Sequence, residues 1–245
     1  MLKKLRLVLK GRNMARVARE RARRERIIAA RQTDYRRWHD PASYNASWET
    51  RLDTAMPMLA DARWVADLGC GMQDLRKRLA PGTIYLPMDI KRWTDDTLLC
   101  DLNAKQLPDL YISLCDVCVI LGVLEYVYEP EWLLARLAEH AESLVLSYNA
   151  ADLASLDRAG HGWVNAFDTG DILGMVERTP YRVATVAFHG AQMLVKATRR
   201  DFDAACREQR EARRRAFRAE GASPVATPAG QKPAEVTAAG AGGTP

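Results

Sequence analysis

The residues with the clearest chemical potential lie in one stretch, Val65-Ala66-Asp67-Leu68-Gly69-Cys70-Gly71-Met72-Gln73-Asp74-Leu75. An apolar run enters two glycines one residue apart and continues into a segment read as a helix. Glycine accepts backbone angles that other residues resist, and without a Cβ it lets a ligand approach the main chain closely. A helix starting there would add free N–H groups to the floor of the turn. Twenty-two residues after Asp67, the run Tyr85-Leu86-Pro87-Met88 ends in Asp89. An acid at the end of a second strand, about 20 residues past a glycine turn, is placed to accept hydrogen bonds from both hydroxyls of an adenosine ribose; the alternative is a polar residue capping the loop. Asp101 follows Leu98-Leu99-Cys100 in the same way. With Leu102 it is placed to hold an adenine amino group and ring edge.

These residues need a scaffold that brings strand ends together. Short apolar runs at Trp64–Leu68, Ile84–Met88, Leu98–Cys100, Val117–Leu121 and Leu144–Tyr148 alternate with helix-like stretches, most clearly Gln73–Leu79 and Glu131–His140. That order predicts a parallel sheet with crossover helices. Arg182–Phe188 and Ala191–Ala197, separated by His189-Gly190, predict an antiparallel hairpin at the end. The expected fold is α/β: a Rossmann-like, doubly wound, mostly parallel sheet with an antiparallel C-terminal hairpin.

Over about residues 60–198 the chain resembles the class I S-adenosylmethionine-dependent methyltransferases. Asp67-Leu68-Gly69-Cys70-Gly71 is similar to the family's first motif, Asp89 to its ribose-binding acid, and Cys100-Asp101-Leu102 to its adenine-binding stretch. The run from Cys115 to Val127, with Gly122, Glu125 and Tyr126, resembles the fourth-strand motif, whose following loop lines the donor and acceptor pocket. The terminal hairpin is also a family feature, which dinucleotide-binding dehydrogenases lack. The resemblance implies S-adenosylmethionine as cofactor, held by Asp67, Gly69, Cys70, Gly71, Asp89, Asp101, Leu102 and Gly122. One position departs: where the family commonly has a third glycine stands Gln73, implying a tighter turn or one partly filled by the Gln side chain.

Methyl transfer requires alignment of the acceptor, exclusion of water and, for a hydroxyl acceptor, removal of a proton. Three residues are candidates for that work. His161 lies in a Gly-flanked loop after the fifth strand, and histidine changes charge near neutral pH; it is either a base or a surface loop residue. Glu125 and Tyr126 follow strand four and contact either the methionine part of the cofactor or the acceptor, with a helix-start acid as the alternative for Glu125. Tyr148 and Asn149 belong to the same rim. Tyr44, Trp48 and Arg51 either close over the cofactor or pack the leading helix on the sheet, packing being the expectation for Trp48.

Other chemistries lose their support. No Gly-x-Ser-x-Gly elbow and no Gly-x-x-x-x-Gly-Lys phosphate loop occurs. Cys115 and Cys118 fall in an apolar run with no second Cys or His pair at ligand spacing, so they are expected to be core residues and no metal is implied. The five cysteines do not form a secreted disulfide framework. Absence of an Asn-Pro-Pro-Tyr motif after strand four and of a Pro-Cys nucleophile leaves a small molecule or glycan, methylated on oxygen, as the expected acceptor. A non-catalytic binding or adaptor module, and an RNA or lipid-linked acceptor, remain the alternatives.

Charge divides the 245 residues unevenly. Residues 1–40 hold 14 Lys/Arg against 4 Asp/Glu, residues 41–198 hold 13 against 21, and residues 199–218 hold 8 against 4. The expected organisation is a basic N-terminal helical arm (1–40, helical from Leu2 to about Trp38), the Rossmann-like domain (41–198), a basic C-terminal helix (199–220) and a disordered Ala/Gly/Pro-rich tail (221–245). Basic arms point to an anionic partner such as RNA or a membrane surface, to docking on the acidic body, or simply to solvated helices. The first ten residues lack a continuous apolar region and a cleavage site, so a cytoplasmic location is expected.

Overall fold

The computed structural model describes residues 2–44 and 46–219; the expected tail, 221–245, lies outside them. Helix α1 spans Leu2–Ala29, not the whole stretch to Trp38. Arg31 takes a left-handed backbone conformation (φ 50°), and bonds from Arg31 N to Ile28 O (2.9 Å) and Gln32 N to Ile27 O (3.1 Å) close the helix. This is a Schellman ending, reached here without glycine. A short α2 (Tyr35–Trp38) and α3 (Arg51–Ala55) follow, before β1 (Trp64–Leu68).

The remaining elements are β2 (Ile84–Asp89), β3 (Leu98–Leu99), α4 (Asp109–Ile112), β4 (Val117–Leu121), α5 (Pro130–His140), β5 (Ser143–Asn149), α6 (Arg158–His161), α7 (Thr169–Glu177), β6 (Tyr181–His189), β7 (Gln192–Arg199) and α8 (Ala204–Ala219). The seven strands form one sheet in the order β3-β2-β1-β4-β5-β7-β6. The first five are parallel, and β7 pairs antiparallel with both β5 and β6. Every residue of β1 and β4 is buried, which explains why these strands read as continuous apolar runs rather than alternating ones.

Helix α5 presents Leu133, Leu134, Leu137 and Ala138 along one stripe, and α7 presents Ile172, Met175 and Val176, so both cover the sheet face that carries Ala66, Leu68 and Ile120. Leu52, Ala55, Met58, Leu59, Leu75 and Leu79 cover the opposite face over Val65, Val119 and Val145. Asp168 and Asp171 form a reciprocal capping box that fixes the start of α7.

The expected helix over Gln73–Leu79 is absent. A single 3₁₀ turn, Leu75–Arg78, stands in its place, because Gln73 takes a left-handed conformation (φ 61°) that breaks the helix at its first residue. The third apolar run is also shorter than predicted, with pairing confined to Leu98 and Leu99.

The basic ends dock on the acidic body. Arg214 donates to Leu114 O (2.8 Å) and pairs with Asp116 (2.8 Å), while Arg210 pairs with Glu142 (3.0 Å) and Asp116 (3.1 Å). Both arginines are buried, and Trp64 lies under Arg214 and Arg218. At the other end, Arg24 donates to Gly160 O (2.5 Å) and Arg37 to His161 O. Among the described residues no helix is long and apolar enough to cross a membrane.

Candidate active site

The order in which the chain adds strands reverses between the parallel neighbours β1 and β4, the place where open α/β sheets form a ligand crevice beyond their strand ends. A cavity of about 640 Å³ opens there. It is lined by Asp67, Gly69, Cys70, Gly71, Asp89, Asp101, Leu102 and Gly122, and also by Glu125, Tyr126 and His161. The fold thus gathers these residues, up to 94 positions apart in sequence, into one cavity, whereas Tyr148, expected at the same rim, is fully buried with its hydroxyl donating to Asn165 Oδ1 (2.6 Å) and does not line it.

The glycine turn is built around β2. Gly69 N (2.8 Å) and Cys70 N (3.1 Å) both donate to Met88 O, and Gly71 N donates to Asp89 Oδ2 (2.8 Å). Gly69 and Gly71 have positive φ (74° and 50°), and a Cβ on either would lie 2.5 Å from Val123 Cγ2 or 2.6 Å from Tyr44 Cε1. Both positions therefore require glycine for conformation and for space.

Gln73 does not fill the turn. Its amide donates to Thr94 Oγ1 (2.6 Å) and Thr97 Oγ1 (3.2 Å), and its carbonyl accepts from Arg76 (3.0 Å). The side chain braces the loop between β2 and β3, and it is not part of the cavity lining.

The acids of the cavity differ in their partners. Asp89 accepts from Gly71 N (2.8 Å) and from Lys91 N (3.3 Å), and these donors, with Ile90 N and the Trp93 indole, oppose the burial that raises its pKa. Asp101 accepts four: Thr33 Oγ1 (2.9 Å), Asn103 N (3.0 Å) and Ala104 N (3.3 Å) on Oδ1, and the Tyr35 hydroxyl on Oδ2. Asp67 accepts from the Tyr85 hydroxyl (2.6 Å), and burial pushes its carboxyl up to about 7.

Glu125 is fully buried. Its Oε1 accepts from Asn149 N (2.9 Å) and Asn149 Nδ2 (2.8 Å), whereas Oε2 has no partner among the described residues. Burial raises its pKa above the ordinary carboxylate value, with the Asn149 donors opposing. Tyr126 accepts from Trp163 Nε1 (2.9 Å), and burial raises its phenol as well. His161 is exposed at the rim, stacked on Trp163 at 4.8 Å. Its Nδ1 donates to Asp157 O (2.7 Å), which leaves Nε2 as the accepting nitrogen.

The segment before β1 roofs the cavity with Trp38, Tyr44 and Trp48. Trp38 meets Tyr126 edge to face at 4.7 Å, and Tyr44 meets Trp93 at 4.9 Å. Trp48, expected to serve packing, lines the cavity with them. Asn149, expected at the rim from its place at the end of the fifth strand, lines it, as do Thr33, Trp163 and Gln192, which carry no local sequence signal beyond their residue types. Cys115 and Cys118 are fully buried, and no group of His, Cys, Asp or Glu suited to a metal ion occurs among the described residues.

No known family profile matches the chain. No curated protein matches it either. Solved structures do. Human N-acetylserotonin methyltransferase in complex with SAM superposes with a TM-score of 0.52 at 15% identity, over 66% of this chain and 55% of that one. Burkholderia thailandensis 1,6-didemethyltoxoflavin-N1-methyltransferase, with its acceptor and S-adenosylhomocysteine bound, superposes with a TM-score of 0.51 at 14% identity, over 78% of this chain and 90% of that one. The chain has the class I S-adenosylmethionine-dependent methyltransferase fold.

Proposed function

We propose that this chain is an S-adenosylmethionine-dependent methyltransferase acting on a hydroxyl of a small uncharged molecule or glycan. The observation that carries the reading is Asp89. It stands at the end of β2 in the cavity lining, held by Gly71 N on one oxygen and Lys91 N on the other, which presents a carboxylate, the acceptor type a ribose diol needs. Gly69 and Gly71 line the same cavity, where Val123 and Tyr44 leave no room for a Cβ and keep the turn free of side chains. Solved structures of the same fold, from human and from Burkholderia thailandensis, hold SAM or S-adenosylhomocysteine.

Bound S-adenosylmethionine supplies a methyl group on a sulfonium sulfur. The residues of this chain do the rest. Asp89 takes the ribose hydroxyls, and Gly69, Cys70 and Gly71 let the ligand rest on the main chain. Trp38, Tyr44 and Trp48 exclude water from above. Glu125 is the proton acceptor: Asn149 anchors Oε1, and the unpartnered Oε2 takes the acceptor's hydroxyl proton. His161, exposed and held by Asp157 and Arg37, serves as a rim residue for the acceptor.

The acceptor class follows from charge. Glu49, Asp74, Asp89 and Asp101 line the cavity against Arg51 and Lys77, together with Asp67 and Glu125, whose ionised forms burial disfavours. An acidic wall repels phosphate-rich acceptors such as RNA. The test is incorporation of a labelled methyl group from S-adenosylmethionine into a panel of neutral sugars, phenols and RNA. Labelling of a neutral hydroxyl compound that Glu125→Gln abolishes supports the reading; labelling of RNA alone contradicts it.

A further inference from the structure

Four of the rings that line the cavity form an unbroken chain. From Tyr126 through Trp38 and Tyr44 to Trp48, successive centroids lie 4.7, 5.9 and 6.1 Å apart, at interplanar angles between 65° and 81°. The two halves of the chain have different neighbours. Tyr44 belongs to the glycine turn, its Cε1 lying 2.6 Å from where a Cβ of Gly71 would stand. Tyr126 follows Glu125, and Val164 N donates to Glu125 O (2.8 Å), which sets Trp163 beside the pair. Arg37 supports this end from outside the large cavity. Its guanidinium lies over Trp38 (4.5 Å) and Tyr126 (5.3 Å), and it lines a separate cavity of about 50 Å³ that shares these two rings as its wall.

Around Glu125 the polar side chains are committed to one another. Trp163 Nε1 donates to the Tyr126 hydroxyl (2.9 Å), Asn149 Nδ2 to Glu125 Oε1 (2.8 Å), and Asn165 Nδ2 to Leu124 O (2.8 Å) and Val127 O (3.1 Å). Glu125 Oε2, fully buried, is left without a partner among the described residues. A ligand at this end therefore meets mostly ring surface, with one free proton-accepting oxygen. A sugar placed there would bury several hydroxyls without partners, at a cost for each. A flat aromatic ring has none to bury, and it gains edge and face contacts with its neighbours. Acidity points the same way, because a carboxylate takes a proton far more readily from a phenol, whose pKa is about 10, than from an alcohol, whose pKa is near that of water. We propose that the acceptor is a planar aromatic compound bearing a phenolic hydroxyl, its ring against Trp38 and Tyr126 and its hydroxyl on Glu125 Oε2, an inference that rests on the methyltransferase reading above.

The test is calorimetric titration of the chain saturated with S-adenosylhomocysteine, using 2-naphthol, its saturated counterpart decahydro-2-naphthol, and methyl β-glucoside as probes. All three carry a hydroxyl, and one of them is flat. 2-Naphthol is expected to bind saturably and at least about tenfold tighter than either of the others. Trp38→Leu is expected to remove most of that preference, and the comparison of probes on the wild-type chain stands even if the variant folds poorly. Decahydro-2-naphthol or the glucoside binding as tightly as 2-naphthol, no binding of 2-naphthol, or an unchanged preference in a folded Trp38→Leu chain overturns the aromatic assignment and leaves the methyltransferase reading in place. Failure of S-adenosylhomocysteine to bind the folded wild-type chain, measured first, overturns that reading, and the assignment with it.

Discussion

The Tyr35 hydroxyl donates to Asp101 Oδ2, joining the basic N-terminal segment to the acid just beyond β3. The contact raises the Tyr35 phenol to about 12, and with Thr33 it completes the set of four donors on that carboxylate. An adenine amino group that takes Asp101 as its acceptor therefore competes with the chain's own hydroxyls. The double variant Tyr35→Phe/Thr33→Val is expected to bind S-adenosylhomocysteine roughly two- to tenfold tighter, the worth of a neutral hydrogen bond. Calorimetry measures this directly, and weaker binding would show that the two hydroxyls hold a roof the ligand needs.

The glycine turn tolerates no side chain. Gly69→Ala and Gly71→Ala each force an L residue into positive φ and drive a Cβ into Val123 or Tyr44. Each is expected to cost about 1–2 kcal/mol of stability and to reduce cofactor affinity at least about tenfold. Urea denaturation and calorimetry on the same samples separate the two effects; full affinity in both variants contradicts a ligand at this turn.

As the proposed proton acceptor, Glu125 is expected to impose a pH dependence on methyl transfer. Its raised pKa keeps the proton on at pH values where an ordinary carboxylate has lost it, so turnover falls as pH drops through a range above the usual carboxylate titration. Glu125→Gln is expected to bind S-adenosylhomocysteine like wild type yet lose about 100-fold or more in turnover. A variant with unchanged turnover would move the proton acceptor elsewhere, with His161 next in line.

Asp67 links stability to pH with the opposite sign from a salt-bridged acid. Its pKa rises from 3.8 to about 7 on folding, so the folded chain binds that proton more tightly than the unfolded one. Its stabilising contribution is complete below pH 3.8 and is lost as pH rises toward 7, at up to roughly 1.4 kcal/mol per pH unit. Asp67→Asn keeps an oxygen for the Tyr85 hydroxyl and cannot ionise. It is expected to be more stable than wild type at pH 8 and equal to it near pH 4, as read by urea denaturation.

What could be read in advance follows from how local each signal is. The runs Trp64–Leu68 and Val117–Leu121 match β1 and β4 to the residue, because strands buried on both faces leave an unbroken apolar record. Asp89 and Asp101 were legible because each stands where an apolar run ends. Gln73 was misread, since nothing near it in sequence announces Thr94 and Thr97, the partners that draw its amide away from the turn. The end of α1 was missed because Arg31 adopts a conformation that usually marks glycine. Tyr35 and Asp101 are 66 positions apart, and Arg37 and His161 are 124 apart; no local pattern records such contacts. The charge count did carry the docking of the C-terminal helix in outline, because an acidic body between basic ends is what arginines such as Arg210 and Arg214 require.

The most direct test of the account is calorimetric titration of the purified chain with S-adenosylhomocysteine, set beside Asp89→Ala. The account predicts saturable one-site binding by the wild-type chain and a loss of at least about tenfold in the variant, which removes two acceptors for the ribose. Equal binding by the two proteins, or none by a wild-type chain shown to be folded, would contradict it.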